Sequence, residues 1–411
     1  MDDAVRTERL RPALKEAALL LLVFLLLFFR NWRIFIFPEP WAEDMAVFLR
    51  DEYSTGFPGT AFSLYAGYLH LLPRIIAWLS LKAGLPHAML VMSWSVLFIK
   101  LLACALIYRS KEITSPLMKG SIIAYLVLMP FVSEIYNNVT NLQWWLIPLM
   151  AVIILRHKTS AASLAFSAIT ILLTGLTGVN SVMFALPCAY LMAKERTPAS
   201  VIKNSIVILC ALVQFYFLCT TGRSGNGRTV YEGGITGLIC IFVQRVIFHT
   251  LFKSAAPPIV SIPVFALFLA ALALKLRHYR NLLTVRFLSL FAAAYAAVIL
   301  YSILKTEKDA SVLITGFAGE RYFVFLRLCT FALLVSSLDL LFSSRHLRRN
   351  YRKLMAASCI ALALVLVRRY PVSFPSGSPY YADLERLEAA KSGDLVTIHF
   401  PPGWKCDLRK K

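Results

Sequence analysis

The chain has 411 residues, 58% of them hydrophobic and only 16% charged, with a formal net charge of +21. Soluble domains lie nearer half apolar and about a quarter charged, so this balance excludes an ordinary soluble enzyme and points into the membrane. Apolar stretches near twenty residues recur, each able to cross about 30 Å of hydrocarbon as a helix. Helices satisfy their own backbone where lipid offers no partners, and continuous apolar spans do not read as the alternating strands of a barrel.

The expected fold is therefore an all-α polytopic membrane protein with about eleven transmembrane helices. In chain order the candidate spans are 17–37, 88–108, 120–133, 143–156, 160–176, 181–193, 204–221, 256–275, 283–304, 322–342 and 354–370. The first is an uncleaved signal anchor: its LLLLVFLLLFF core runs into Arg30-Asn31-Trp32-Arg33 with no small-residue cleavage pattern. With the N-terminus inside, RTERLRPALK, RSKEITSPLMK, RHK, KERTPASVIK, KLRHYRN and RHLRRNYRK fall on one side, as the positive-inside rule requires. Most of the 22 acids fall on the other. The positive charge thus sets topology and needs no nucleic acid partner. An odd number of spans leaves the C-terminus outside.

The longest external segment, 38–86, opens with EPWAEDMAVFLRDEY, which holds Glu39, Glu43, Asp44, Asp51 and Glu52. Pro40 suits the first turn of a helix over 40–52, GFPGT is a turn, and a second juxtamembrane helix runs from about Ala61 to Ala83. Acids in a first helical turn meet the helix dipole favourably. At a cavity mouth, Glu43 or Asp44 can also act as a general base on an attacking hydroxyl, and the pair is one option for holding a divalent metal. In YAGYLHLLPR, Tyr65, Tyr68, His70 and Arg74 either place aromatic and basic groups at headgroup level or serve the site, with Arg74 pairing with Glu43 or Asp44 or clamping a phosphate.

NNVTNLQWW carries Asn138, Asn141, Gln143 and Trp144, which suit either an aromatic belt or carbohydrate hydroxyls and C–H faces. TGLTGVN reads as a short external loop or as a break in a span. Farther on, Arg245, His249 and Lys253 in FVQRVIFHTLFK are spaced i, i+4, i+8, a basic stripe for anionic headgroups or a specific phosphate. GERYF places Glu320, Arg321 and Tyr322 at the entrance to a span, with Arg327 deeper and Lys305 at the outer end of the preceding span. An ionisable group inside a membrane is a functional candidate by default. Asp339 is expected to pair with an inner-loop base. The external tail, from about Tyr370, reads as a helix at PYYADLERLEAAK, a strand at LVTIHF and a PPGW turn. The eight cysteines show no disulfide framework or metal spacing.

Taken together, EPWAEDMAVFL after a first span, YAGYLHLLPR in a second juxtamembrane helix and a later G-x-R-Y at a span entrance resemble the GT-C superfamily of integral membrane glycosyltransferases. The NNVTNLQWW loop and short PPGW tail are most similar to bacterial serotype-converting O-antigen glucosyltransferases. The resemblance implies a transmembrane glycosyltransferase domain over 1–370 and a small external tail over 371–411. It also implies a bacterial inner membrane location with cytoplasmic N-terminus and periplasmic C-terminus. The activity implied is inverting transfer of a sugar, such as glucose, from a polyprenyl phosphate to a hydroxyl of a lipopolysaccharide glycan at a periplasmic active site. Asp44 would be the base, with Glu43 as its neighbour or the alternative base. Arg74, Arg245, His249, Lys253, Lys305, Arg321 and Arg327 would serve the donor phosphate, and Tyr68, His70, Asn138, Asn141, Gln143, Trp144 and Tyr322 the substrates. The competing readings are a flippase or transporter of a lipid-linked or acidic substrate, and a glycan polymerase.

Overall fold

The structure is a computed structural model describing residues 2–130, 132–157, 160–221, 234–252, 258–279, 283–306, 319–342, 348–368, 372 and 377–411. Each of the eleven apolar segments coincides with a helix. They are α1 (Asp2–Arg30), α5 (Leu85–Arg109), α6 (Pro116–Leu128), α7 (Leu142–Leu155), α8 (Ala161–Gly175), α9 (Asn180–Glu195), α10 (Pro198–Thr220), α12 (Pro258–His278), α13 (Leu283–Thr306), α14 (Val324–Phe342) and α15 (Tyr351–Val367). Among the described residues, Leu85–Arg109, Pro198–Thr220, Ile259–His278 and Glu320–Phe342 are long and apolar enough to cross a membrane; several others are shorter apolar helices. The protein is thus an all-α polytopic membrane protein, with sheet among the described residues confined to two hairpins.

Helix starts follow from local chemistry. Ser115, Ser160 and Thr197 cap α6, α8 and α10, each side chain accepting a backbone N–H from three residues ahead. Pro116 and Pro198 follow two of these caps at positions where a missing N–H is harmless. Helix ends are finished by cations. Arg30 donates to Val127 O and Met129 O, both at 2.6 Å, past the end of α6. Lys203 donates to Ile153 O, Ile154 O and Arg156 O at 3.1, 2.8 and 2.5 Å, at the end of α7. The last carbonyls of a helix have no intrahelical donors, lipid supplies none, and positive charge suits that end of the dipole. Lys100, on α5, donates to Tyr136 O and lies 4.4 and 4.3 Å from the Tyr136 and Trp145 ring centroids. These cations are structural, although position inside a membrane nominated such residues for function.

Helix α7 is the axis of the fold. Every residue from Leu142 to Leu155 except Val152 is fully buried, against α5, α8, α9, α10 and α14. The NNVTNLQWW tryptophans are therefore core groups, with Trp144 and Trp145 3% and 4% exposed, and not an aromatic belt. Trp145 Nε1 donates to Ile135 O at 2.8 Å.

The first external segment differs from expectation. In place of one helix over 40–52 there is a π-helical turn, Asp44–Leu49, followed by α3 (Arg50–Ser54). The expected helix from Ala61 begins only at α4 (Leu71–Leu81); before it lies a hairpin of β1 (Leu64–Tyr65) and β2 (Tyr68–Leu69), with Gly67 at φ +84°. The hairpin is preferred because it has partners elsewhere. Gln214 of α10 accepts Leu69 N at 2.9 Å and donates to Leu69 O at 3.2 Å and Gly178 O at 3.0 Å. Gly178 N donates to Leu69 O, and Leu71 N to Leu176 O, each at 3.0 Å. TGLTGVN is accordingly the turn of a helical hairpin, α8 to α9, stitched to β2.

In the tail, α16 (Tyr380–Ala389) and β3 (Leu395–Phe400) form as read, and β3 pairs with a further strand, β4 (Trp404–Arg409), in an antiparallel hairpin turning at Pro401–Gly403. Cys406 faces inward and is buried. The tail docks on the first external segment: Ala42 N donates to Pro401 O at 2.9 Å and Tyr381 OH to Pro38 O at 2.8 Å. Tail and first external segment thus pack together. Asp339 accepts from Tyr351 OH at 2.5 Å and lies within electrostatic reach of Lys275, a base of the KLRHYRN segment.

Among the described glycines Gly178 is the tightest, at φ +80° with an added Cβ falling 1.9 Å from Gln143 Oε1. Gly178→Ala should cost about 2–5 kcal/mol by combining overpacking with left-handed strain. Thermal unfolding in detergent checks this against Gly377→Ala, whose φ is +88° but which has nothing within 4 Å.

Candidate functional site

Four of the five acids in EPWAEDMAVFLRDEY are committed to structure. Glu39 accepts Gly377 N at 2.9 Å and Ser378 N and Oγ at 3.3 and 2.5 Å, tying down the tail. Glu52 accepts Phe57 N at 2.7 Å and the Thr60 hydroxyl, shaping the GFPGT turn. Asp51 pairs with Arg74 at 2.9 Å. Asp44 is 1% exposed; its Oδ1 accepts Thr140 N at 3.0 Å and Thr140 Oγ1 at 2.6 Å, and its Oδ2 accepts Val139 N at 3.2 Å.

Burial raises the Asp44 carboxyl to about 7, outweighing these donors, and the Glu43 charge adds to the rise. A raised carboxyl is itself a signal of catalysis, but geometry decides here. Both oxygens are filled from within the protein, and the side chain is sealed from any acceptor. Asp44 thereby pins the first external segment to the second.

Glu43 is the half-buried carboxylate of the five left facing other site groups. Tyr65 OH donates to its Oε1 at 3.0 Å. Burial, then Glu43, push the Tyr65 phenol above its ordinary range. Arg321 and Glu134 both lie within electrostatic reach of Glu43. Arg321 binds Glu134, donates to Tyr322 OH at 3.3 Å and sits 5.0 Å from that ring's centroid. The Arg321 side chain keeps 33% exposure, the largest of the site cations whose side chains are described. Tyr322 packs edge-on against Trp144, centroids 5.5 Å apart, and Tyr295 OH holds the Tyr322 carbonyl at 2.8 Å. Glu134 is raised by burial, with Arg321 opposing.

On the β1–β2 hairpin, His70 is fully buried and stacked on Tyr68 with centroids 4.5 Å apart, beside Phe48 and Tyr65. Burial lowers its ring to about 3, so the imidazole is neutral. Gln143 Nε2 lies 3.5 Å from Tyr68 OH. Asn138 and Asn141 do different work: both donate to Glu134 O, at 2.7 and 3.0 Å, and Asn141 N donates to Asn138 Oδ1 at 2.9 Å. They shape the 134–141 turn and are buried.

The expected phosphate cations separate. Arg74 pairs with Asp51, not Glu43 or Asp44, is fully buried and lies over Phe48 at 5.0 Å. Arg245 and His249 are buried too, which overturns a stripe facing headgroups. A π-helical turn, Val243–Ile247, and a 3-10 turn, Phe248–Thr250, bring both onto Glu320, which Arg327 also binds. Arg327 Nε further donates to Arg245 O at 2.7 Å. Lys253 lies outside the described residues, as does the Lys305 side chain. No group of three His, Cys, Asp or Glu able to hold a metal occurs among the described residues, and Asp44's filled oxygens leave the 43–44 pair without two free carboxylates.

Glu134 is a member of this group that the sequence did not assign to the site. A lone acid in SEIYNN gives no periodic signal, and only the fold brings it to Arg321.

No protein-family model matches this chain, and no curated protein matches it. Among solved structures, it is similar to the crystal structure of the Archaeoglobus fulgidus oligosaccharyltransferase in complex with Zn and sulfate, at 12% identity and a TM-score of 0.41. That likeness covers 91% of this chain, which spans 56% of that one.

The Asp44 assignment predicts a pH signature. The folded protein holds this proton up to about pH 7, whereas the unfolded carboxyl releases it near 3.8. The Asp44 contribution to stability therefore falls as pH rises from about 4 to about 7 and is level above that. Asp44→Asn should gain stability relative to wild type across that window, read as the difference in melting temperature from pH 4 to pH 8. A difference that does not change with pH would remove the buried carboxyl as its cause.

Proposed function

We propose that the protein is a membrane glycosyltransferase with an external active site, transferring a sugar from a polyprenyl-phosphate donor to a hydroxyl of a cell-surface glycan such as O-antigen, with inversion. The observation that carries this reading is the opposition of Glu43 and Arg321: one half-buried carboxylate and one part-exposed guanidinium at the outer ends of membrane helices. Glu43 takes the proton of the acceptor hydroxyl. The acceptor oxygen forms its bond to the anomeric carbon as the bond from that carbon to the phosphate oxygen breaks. The electron pair leaves with polyprenyl phosphate, and Arg321 stabilises the developing charge. Glu134 holds Arg321 in place until the phosphate competes for it. Arg245, Arg327 and His249 act behind it, fixing Glu320 and hence the start of the helix that presents Arg321. A single displacement needs no covalent enzyme intermediate.

The resemblance noted in the sequence supports the same reading, as does the arrangement of Tyr65, Tyr68, Tyr322 and Trp144 around the two charges. The orientation follows the positive-inside rule, with the N-terminus cytoplasmic and the site periplasmic.

Glu43→Gln should lower sugar transfer by about 10²–10⁴-fold, the usual worth of a general base, in membranes supplied with polyprenyl-phosphate glucose and acceptor glycan. Arg321→Gln should lower turnover comparably. Unimpaired turnover of Glu43→Gln at wild-type expression would remove Glu43 as base. Labelled lipid crossing sealed vesicles without a new glycosidic bond would replace the reading with a flippase.

A further inference from the structure

Glu43 follows a strained residue. Ala42 has φ +36°, in the left-handed region, where the Cβ of an L-residue crowds the following carbonyl oxygen. Glu43 itself is ordinary, at φ −66° and ψ −20°. The two are the central residues of a turn closed by Asp44 N, which donates to Trp41 O at 2.7 Å. The direction of Glu43 therefore depends on Ala42. A left-handed alanine persists only where the surrounding contacts fix it.

Those contacts lie on both sides of the turn. After it, Asp44 is pinned to residues 139 and 140. Before it, the C-terminal tail holds the chain at three points. Tyr381 OH donates to Pro38 O at 2.8 Å, Glu39 accepts from Gly377 and Ser378, and Ala42 N itself donates to Pro401 O at 2.9 Å. Pro401 stands in the turn between β3 and β4, and β4 packs along the π-helical turn Asp44–Leu49 and α3. Within the tail, Asp383 of α16 accepts His399 N of β3 at 2.8 Å, so its helix and hairpin grip the segment as one body. Glu43 thus sits between two anchors, and Tyr65 OH, 3.0 Å from its Oε1, completes the placement of the carboxylate.

We propose that the tail is a positioning element of the active site: the Pro401 carbonyl keeps Ala42 left-handed, and Ala42 in turn aims Glu43 at the acceptor hydroxyl. This rests on the reading of Glu43 as the base of a glycosyltransferase and adds Ala42 and Pro401 as positioning residues for it. Released from Pro401 O, Ala42 relaxes toward negative φ and swings the Glu43 carboxylate off Tyr65. The loss falls on turnover more than on binding, because the base acts on a proton that moves only in the reaction.

Two glycines of the tail hairpin separate positioning from stability. Gly403, in the turn that carries Pro401, has φ +99°; Gly393, at the open end, has φ +93°. An added Cβ meets nothing within 4 Å at either, so alanine strains the backbone in both places without a clash. In membranes holding the full chain, polyprenyl-phosphate glucose and acceptor glycan, Gly403→Ala should lower kcat by about 10-fold to 10²-fold, the scale of a misplaced catalytic group, with both KM values nearly unchanged. Gly393→Ala should leave kcat near wild type. Adding Ala42→Gly to Gly403→Ala should restore most of the lost kcat, because glycine holds a positive φ without help from the tail. Hydrogen exchange at the Ala42 amide reads the same bond without activity: it should quicken in Gly403→Ala and not in Gly393→Ala. Equal kcat losses in the two alanine variants, no loss in Gly403→Ala, or no recovery with Ala42→Gly would overturn the proposal. So would Ala42 exchange that ignores Gly403→Ala, whatever the activity. A wild type that transfers no sugar, with exchange still responding to Gly403→Ala alone, would retire the transferase reading and keep the tail's hold on Ala42.

Discussion

The bonds from Asp44 to residues 139 and 140 are the constraint on which the external surface depends. One buried carboxyl accepts two backbone N–H groups and a hydroxyl from a segment ninety-odd residues away. It thereby fixes the first external segment over the N-terminal end of α7, the most buried helix of the protein. Glu43 is positioned as a consequence, since its neighbour cannot move. The 134–141 turn is positioned in return, and with it Glu134, to which Arg321 binds. A buried carboxyl is expensive unless its oxygens are filled, and here each is.

The same rule accounts for the rest of the buried charge. Arg30 and Lys203 meet helix carbonyls, Arg245 and Arg327 meet Glu320, and Arg74 meets Asp51. In a medium without water each such group must find its partner inside the protein. That requirement separates structural charges from those available for chemistry. Glu43 and Arg321 retain exposure on the side where the tail docks, and they are the pair the proposed reaction uses.

Much of the fold was legible in the sequence because a bilayer simplifies the problem. Runs such as 85–109 and 198–220 have one stable solution in lipid. The tail's helix, strand and PPGW turn were equally local. What was misread depended on distant partners. The segment from Ala61 looked helical by composition, yet Gln214 and the 176–178 turn hold it as a hairpin. The i, i+4 spacing of Arg245 and His249 suggested a surface stripe, but a π-helical turn and Glu320 draw both inward.

The sequence by itself determined the class of protein, the approximate spans, the sidedness of its charges and the segments where polar chemistry concentrates. It did so because hydrophobicity, helix capping and charge asymmetry act over short distances along the chain. It narrowed the acids to EPWAEDMAVFLRDEY without ranking them. Only the tertiary structure separated Glu43 from Asp44, adjacent residues of like chemistry. The reason is physical: availability of a carboxylate depends on which donors fill its oxygens, and those of Asp44 come from Val139 and Thr140, residues that no local pattern connects to it.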